Sequence, residues 1–232
     1  MNFKEQLLHI EDIPTLLVFR HDPRAAANQG TILFYHGLFS RKEENKKELY
    51  SLAKQGYLAI AVDNVGHGER PETEEDFPGK PEANYLAKVA ATIEEIPCLV
   101  SRLMDLELAR PGHLGIAGIS MGGFIAYGSV AVEPRIKVCA PILGSPKWNH
   151  SLSPHLFPER FSSVALLAQN AANDESVPPK FSREFLRILK KKYSRDSMRL
   201  RYEEFPRSNH FMEEQEWNEL WENVLNWFNR YL

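Results

Sequence analysis

Short apolar runs of strand length alternate with longer amphipathic stretches along most of the chain. This alternation is typical of a mostly parallel β-sheet that is covered by helices on both faces. Only residues 11–14 separate the first two runs, too few for a crossover helix, so we expect those two strands to pair antiparallel at one edge. The last run alternates apolar and polar residues, which indicates an edge strand. The runs predicted as strands are 7–10, 15–19, 31–35, 58–62, 114–117, 138–142, 164–168 and 200–205.

Helical stretches are predicted at 43–55, 82–109, 122–132, 178–193 and 213–231. The last of these carries Trp217, Leu220, Trp221 and Val224 at three- and four-residue steps, which predicts a stripe that faces the core. Residues 25–30, before the third strand, are predicted as a loop. The whole pattern predicts an α/β protein with a twisted sheet of about eight strands.

Residues 144–163 break the alternation, with several prolines, two histidines and three large aromatic residues. The segment is too irregular for a strand and too short for a domain. Loops of this length above a rigid scaffold often line binding sites, so we interpret 144–163 as a possible short lid. No linker or repeat divides the rest, which predicts a single domain over residues 1–232.

The charge balance argues against a nucleic-acid protein. The 232 residues include 28 Lys and Arg against 31 Asp and Glu, a formal net charge of −3, whereas phosphate contacts need an excess of cations. Cys98 and Cys139 both have apolar neighbours and are expected to be core residues. Neither a signal peptide nor an apolar run long enough to span a membrane is visible, so we expect a cytoplasmic protein without a membrane partner.

The strongest chemical signal is the sequence Gly-x-Ser-x-Gly around Ser120, between a predicted strand and a predicted helix. In that position the chain must turn so tightly that the serine backbone is strained, and the flanking glycines let neighbouring segments pass close by. The hydroxyl then projects from the end of the strand. The pattern predicts a nucleophilic serine.

A serine hydroxyl is a weak nucleophile unless a base removes its proton as it attacks. Of the eight histidines, only His210 lies in the loop between the last strand and the last helix, from which it could reach Ser120. The base needs a carboxylate to orient it. Asp174 follows the seventh strand and is the preferred candidate, with Glu175 and Asp196 as competitors. Because the ends of parallel strands meet at one edge, these remote residues can converge.

The negative charge that develops on the substrate oxygen must be met by preplaced hydrogen-bond donors. One predicted donor is the backbone amide of Met121, directly after the nucleophile. The second is expected in the loop after the third strand, which begins His36-Gly37. Gly37 permits a sharp turn there, and Leu38 is preferred to Phe39 as the donor.

Four elements in this order resemble the α/β-hydrolase superfamily, and in particular small bacterial serine esterases and dipeptidyl-peptidase-like hydrolases with little or no lid. They are His36-Gly37, the stretch Asp-x-x-Gly-His-Gly at 63–68, the motif at Ser120, and Asp174 followed by His210. The resemblance implies the α/β-hydrolase fold with a minimal lid and a structural role for 63–68. Val65 stands where many relatives have arginine, and Asn170-Ala171 replaces the His-Gly pair that often precedes the acid. These two departures bear on which subgroup of the superfamily the chain resembles, and not on the catalytic residues.

The sequence therefore predicts a serine hydrolase, a carboxylesterase with Ser120 as nucleophile, His210 as base and Asp174 as its orienting acid. A peptidase or thioesterase on the same scaffold is the first alternative, and a binding protein without activity is the second. The expected partner is a small-molecule ester, and no metal or organic cofactor is implied because all the required groups belong to the protein. Phe39, Trp148 and Phe211 are candidates for the substrate pocket, with Leu38, Phe124 and Met212 as further apolar neighbours.

Overall fold

The computed structural model describes residues 2–70, 81–193 and 197–232, and the side chains of the helix that begins at Pro81 are described from residue 84. Eight strands form one sheet in the order β1-β2-β4-β3-β5-β6-β7-β8. Their bounds are β1 Lys4–Ile10, β2 Ile13–Phe19, β3 Thr31–Tyr35, β4 Leu58–Val62, β5 Leu114–Ile119, β6 Val138–Ile142, β7 Ala165–Ala171 and β8 Leu200–Phe205.

The strands pair as the sequence predicts. β1 pairs antiparallel with β2, as expected for the edge, and β2 pairs antiparallel with β4. From β3 to β8 every neighbouring pair runs parallel. The carboxyl ends of these parallel strands therefore lie along one edge of the sheet, where α/β folds place their sites.

Two apolar clusters, one on each face, hold helices against the sheet. One cluster joins α1, α3, α4 and α5 to alternate strand residues such as Leu33 and Ile60. The other joins α2 and α6 to the intervening residues, among them Ile32 and Phe34. The alternation follows from the two-residue period of a strand. The helices are α1 Pro23–Gln29, α2 Lys46–Lys54, α3 Pro81–Asp105, α4 Met121–Val132, α5 Lys180–Lys192 and α6 Glu214–Tyr231.

Three local expectations are corrected. Residues 25–30 were expected as a loop, but most of them belong to α1, which begins with Pro23 and is capped by the Asp22 carboxylate accepting from the Ala25 amide at 2.9 Å. The helix expected at 43–55 begins with a 3₁₀ turn, Lys42–Asn45. Cys98 is exposed, because it lies on the outer side of α3, whereas Cys139 is buried.

The segment 144–163 folds as irregular chain with two short 3₁₀ helices, Pro154–Leu156 and Pro158–Ser163. Its Phe161 is fully buried and packs against Tyr127 of α4, with ring centroids 6.5 Å apart. Trp148 is 8% exposed and packs against Phe124 at 5.4 Å. The segment is therefore anchored to the core through its aromatic side chains. No helix in the described part of the chain is both long and apolar enough to cross a membrane.

Candidate active site

Ser120 lies at a strained turn between the end of β5 and the start of α4. Its backbone has φ 56° and ψ −112°, in the positive-φ region that a residue with a side chain rarely adopts. The neighbouring glycines permit this turn. A Cβ atom at Gly118 would overlap the backbone of Gly122, and one at Gly122 would overlap the carbonyl of Tyr35. The glycines of the motif are thus required by close backbone approach.

A continuous chain of hydrogen bonds joins the three residues that sequence reasoning selected. Ser120 Oγ lies 2.9 Å from His210 Nε2, and His210 Nδ1 lies 2.7 Å from Asp174 Oδ2. The carboxylate can only accept, so we assign the proton to Nδ1, which leaves Nε2 free to accept the serine proton. Asp174 is anchored by its second oxygen, which accepts from the Val177 amide at 2.8 Å.

Each member of this chain follows a different parallel strand. Ser120 follows β5, Asp174 follows β7 and His210 follows β8, so the topology brings them to the same edge. The Asp174 side chain is fully buried, whereas that of His210 is 19% exposed. The competitor Glu175 is exposed, and His210 contacts Asp174 instead. The other competitor, Asp196, lies outside the described residues.

The loop after β3 packs directly beside the serine. A Cβ atom at Gly37 would lie 3.8 Å from Ser120 Cβ, so this loop and the nucleophile are in close contact. Among the described residues, the backbone amides of Leu38 and Met121 donate to no protein acceptor. Neither amide is therefore occupied by a protein acceptor, as the expected role of oxyanion donor requires. Met121 opens α4, where the helix N-terminus favours negative charge.

The buried ring of His36 fixes the start of this loop. His36 Nδ1 donates to the Gly37 carbonyl at 2.8 Å, and Nε2 accepts from the Asn64 amide at 3.2 Å. Burial lowers the pKa of His36 to about 4, so the ring is neutral near pH 7. A neutral imidazole supplies the one donor and one acceptor that these two bonds need.

A buried ion-pair network, which the sequence did not reveal, joins the same loop to residues 63–68. Lys42 is 1% exposed, and its ammonium group bonds Asp63 at 2.8 Å, Glu43 at 3.0 Å and also Glu69. Asp63 additionally accepts from the amides of Lys42 at 2.8 Å and Glu69 at 3.0 Å. Burial alone would lower the pKa of Lys42, but the hydrogen bonds that its ammonium donates to these carboxylates outweigh burial and raise the pKa. Only the motif at 63–68 hinted at this network.

A cavity of about 850 Å³ has in its wall Phe124, four residues after Ser120, and Val177, whose amide is bonded to Asp174. Of the residues predicted for the substrate pocket, Trp148 is in the wall of this cavity. Phe39 and Phe211 lie outside it and are 92% and 87% exposed. The segment 144–163 supplies about half of the wall. The lining residues are Tyr85, Leu86, Phe124, Ser145, Lys147, Trp148, Asn149, His150, Ser151, His155, Leu156, Ser176, Val177, Pro178 and Phe181.

Within residues 2–70, 81–193 and 197–232, no group of three or more His, Cys, Asp or Glu side chains is arranged to hold a metal ion. The polar groups gathered near Ser120 are those of His210, Asp174 and the loop after β3.

The eight-stranded, mostly parallel sheet with helices on both faces and a serine at the sharp turn after β5 defines the α/β-hydrolase class. The chain belongs to the hydrolase family described as "Serine aminopeptidase, S33", whose model matches residues 26–198.

Relatives of this chain include esterases and, by fold, peptidases. The "Putative esterase YitV" of Bacillus subtilis is 28% identical over 226 residues, covering 83% of this chain and 87% of that protein. The crystal structure of TT1662 from Thermus thermophilus matches 98% of this chain and 99% of its own, with a TM-score of 0.76 and 22% identity. The Pyrococcus horikoshii acylaminoacyl peptidase matches all of this chain over 42% of its own, with a TM-score of 0.76 and 16% identity. At such identities the solved structures support the fold alone.

Proposed function

We propose that this protein is a carboxylesterase that uses Ser120, His210 and Asp174 as a catalytic triad. The observation that carries the proposal is the unbroken path from the Ser120 hydroxyl through His210 to the buried Asp174 carboxylate. This geometry provides a nucleophile, a base within reach of its proton and a group that fixes the tautomer of the base.

In the acylation step, Ser120 Oγ attacks the ester carbonyl carbon while His210 Nε2 takes the serine proton. The amides of Leu38 and Met121 bind the oxygen that becomes negative, and Asp174 stabilises the imidazolium. The bond from carbon to the alcohol oxygen then breaks, and His210 returns the proton to the departing alcohol. The acyl group remains on Ser120.

In the deacylation step, a water molecule enters beside His210 and attacks the acyl carbon. His210 takes a proton from this water, and the same two amides bind the oxyanion again. The bond to Ser120 Oγ breaks, the acid is released, and the serine recovers its proton from His210. Every proton is carried by a residue of the chain or by water.

An ester is favoured over a peptide as substrate because YitV is named as an esterase and covers most of this chain. Peptidase activity is the alternative, favoured by the family description and by the acylaminoacyl peptidase among the structural matches. A panel of aryl esters, acyl thioesters and aminoacyl arylamides separates these activities by kcat/KM. An inactive binding protein is disfavoured because the path from Ser120 to Asp174 is intact.

The test is hydrolysis of short-chain nitrophenyl esters by the wild-type protein and by Ser120→Ala. We expect the variant to lose activity by a factor of about 10⁶, as removal of a triad serine does in other hydrolases. Ser162→Ala, a substitution at an exposed serine of the segment 144–163, is the matched control and should retain wild-type rates. Unchanged hydrolysis by folded Ser120→Ala would reject the proposal.

A further inference from the structure

Two residues in the cavity wall are hydrogen-bonded to members of the proposed triad. Phe124 lies one helical turn after Ser120, with its amide bonded to the Ser120 carbonyl at 3.1 Å, and its ring lines the cavity. Val177, which also lines the cavity, donates its amide to the Asp174 carboxylate. A substrate group attached to the reacting carbonyl can therefore extend from Ser120 into this space.

Most of the cavity wall is apolar. Tyr85, Phe124, Trp148 and Phe181 supply aromatic rings, and the edge of Tyr85 meets Phe124 at a centroid distance of 5.7 Å. A volume of about 850 Å³ is far larger than a short acyl chain needs and lies in the range of small-molecule sites. The wall therefore suits a sizeable hydrocarbon or aromatic group.

The cationic side chain among the described lining residues is that of Lys147, whereas Ser145, Asn149 and Ser176 are neutral polar groups. The Lys147 ammonium lies 5.4 Å from the centroid of the Phe181 ring and forms no ion pair with any described carboxylate. The Lys180 ammonium lies over the same ring at 4.8 Å. Trp148 Nε1, a donor only, is buried without a hydrogen-bond partner among the described residues.

No described lining residue is an aspartate or a glutamate. An ammonium group in this cavity would be repelled by Lys147 and would meet no carboxylate among the described lining residues. A carboxylate would find the complementary charge at the same place.

We infer that the cavity selects esters whose bound portion is an apolar group ending in a carboxylate, and that it disfavours substrates bearing a free ammonium. The specificity-determining residues are Lys147, in the wall, and Lys180, whose ammonium lies over the lining ring of Phe181. The inference rests on the proposed function, since it concerns the substrate of the same serine. It separates this protein from aminopeptidases, which must accept a free amino terminus.

The test uses three nitrophenyl esters with acyl chains of equal length that end in a carboxylate, a methyl group or an ammonium group. A second series carries the same three groups on the alcohol half. Rates are divided by those of alkaline hydrolysis to remove differences in intrinsic reactivity. In one of the two series, we expect kcat/KM to fall in the order anionic, neutral, cationic, with about tenfold between the extremes at low salt.

The double variant Lys147→Met/Lys180→Met should abolish this order, mainly by raising KM for the anionic ester. Lys147→Glu should reverse it. Lys54→Met removes an exposed lysine from the end of α2, on the opposite face of the sheet, and should leave the order intact. Equal efficiencies for all three end groups in both series, or an order that survives the double variant, would overturn the inference. Failure of the wild type to hydrolyse any ester contradicts the proposed function itself and is a distinct result.

Discussion

Two lysines of the chain, Lys42 and Lys147, have opposite environments. Lys42, on the oxyanion side, is 1% exposed and bonded to three carboxylates, those of Glu43, Asp63 and Glu69. Lys147, on the cavity side, is exposed and has an aromatic ring as its neighbour, with no carboxylate partner among the described residues.

The difference follows from the cost of removing a charge from water. A buried ammonium loses several kcal/mol of hydration and must be compensated by charges and hydrogen bonds of the protein. An ammonium at the surface stays hydrated and can be left for a ligand. Lys42 therefore helps to hold the loop after β3, whereas Lys147 lies on the surface that a substrate meets.

After Ser120 and His210, Asp174 is the residue whose substitution should lower hydrolysis most. Asp174→Asn should lower kcat by a factor of about 10⁴, because the amide no longer fixes the tautomer of His210 or stabilises its charged form. Glu175→Gln is the matched control and should retain the wild-type rate. Ester hydrolysis at fixed pH measures both, and a large loss in Glu175→Gln alone would move the role of the acid to that residue.

Lys42→Met removes the ammonium group at the centre of the buried ion-pair network. It leaves Asp63 buried without its ammonium partner, and we expect the free energy of unfolding to fall by about 3–5 kcal/mol. Lys147→Met is its counterpart on the cavity side and should change the stability by no more than about 0.5 kcal/mol. Urea denaturation of both variants measures these changes in the free energy of unfolding. Equal losses in the two variants would contradict the difference between the environments of Lys42 and Lys147.

The low pKa of the buried His36 predicts that the stability of the protein depends on pH. An unfolded histidine binds its proton below about pH 6.5, whereas His36 in the folded protein does so only below about 4. Between these values the unfolded state holds more protons, so the stability that His36 contributes is lost as the pH falls from about 6.5 to 4, by about 3 kcal/mol in total.

His36→Asn removes this contribution. Denaturation of the wild type and the variant at a series of pH values should give stability curves that converge as the pH falls. A constant difference between the two curves would show that His36 does not stay neutral in the folded protein.

Sequence reasoning located the three triad candidates because their placement follows from topology. Ser120 carries a motif with a steric cause, and Asp174 and His210 each follow a strand whose end must lie at the same edge. The helix α1 was missed, although Asp22 and Pro23 form a recognisable helix start.

The cavity and the Lys42 network could not be predicted in the same way. Lys42 and Asp63 are 21 residues apart, and nothing in the local sequence shows that this lysine is buried. The cavity wall combines Tyr85 of α3, Lys147 and Phe181 from three separate segments. Phe39 and Phe211 are apolar neighbours in sequence of the predicted oxyanion donor and of His210, but both are exposed and neither lines the cavity.

The most direct test of the triad is covalent labelling with a fluorophosphonate, followed by peptide mass spectrometry. The phosphonate forms a bond only with an activated serine oxygen and expels fluoride. We predict a single adduct on Ser120 in the wild-type protein, and slow or absent labelling in His210→Gln. A folded wild-type protein that acquires no adduct at Ser120 would contradict the account.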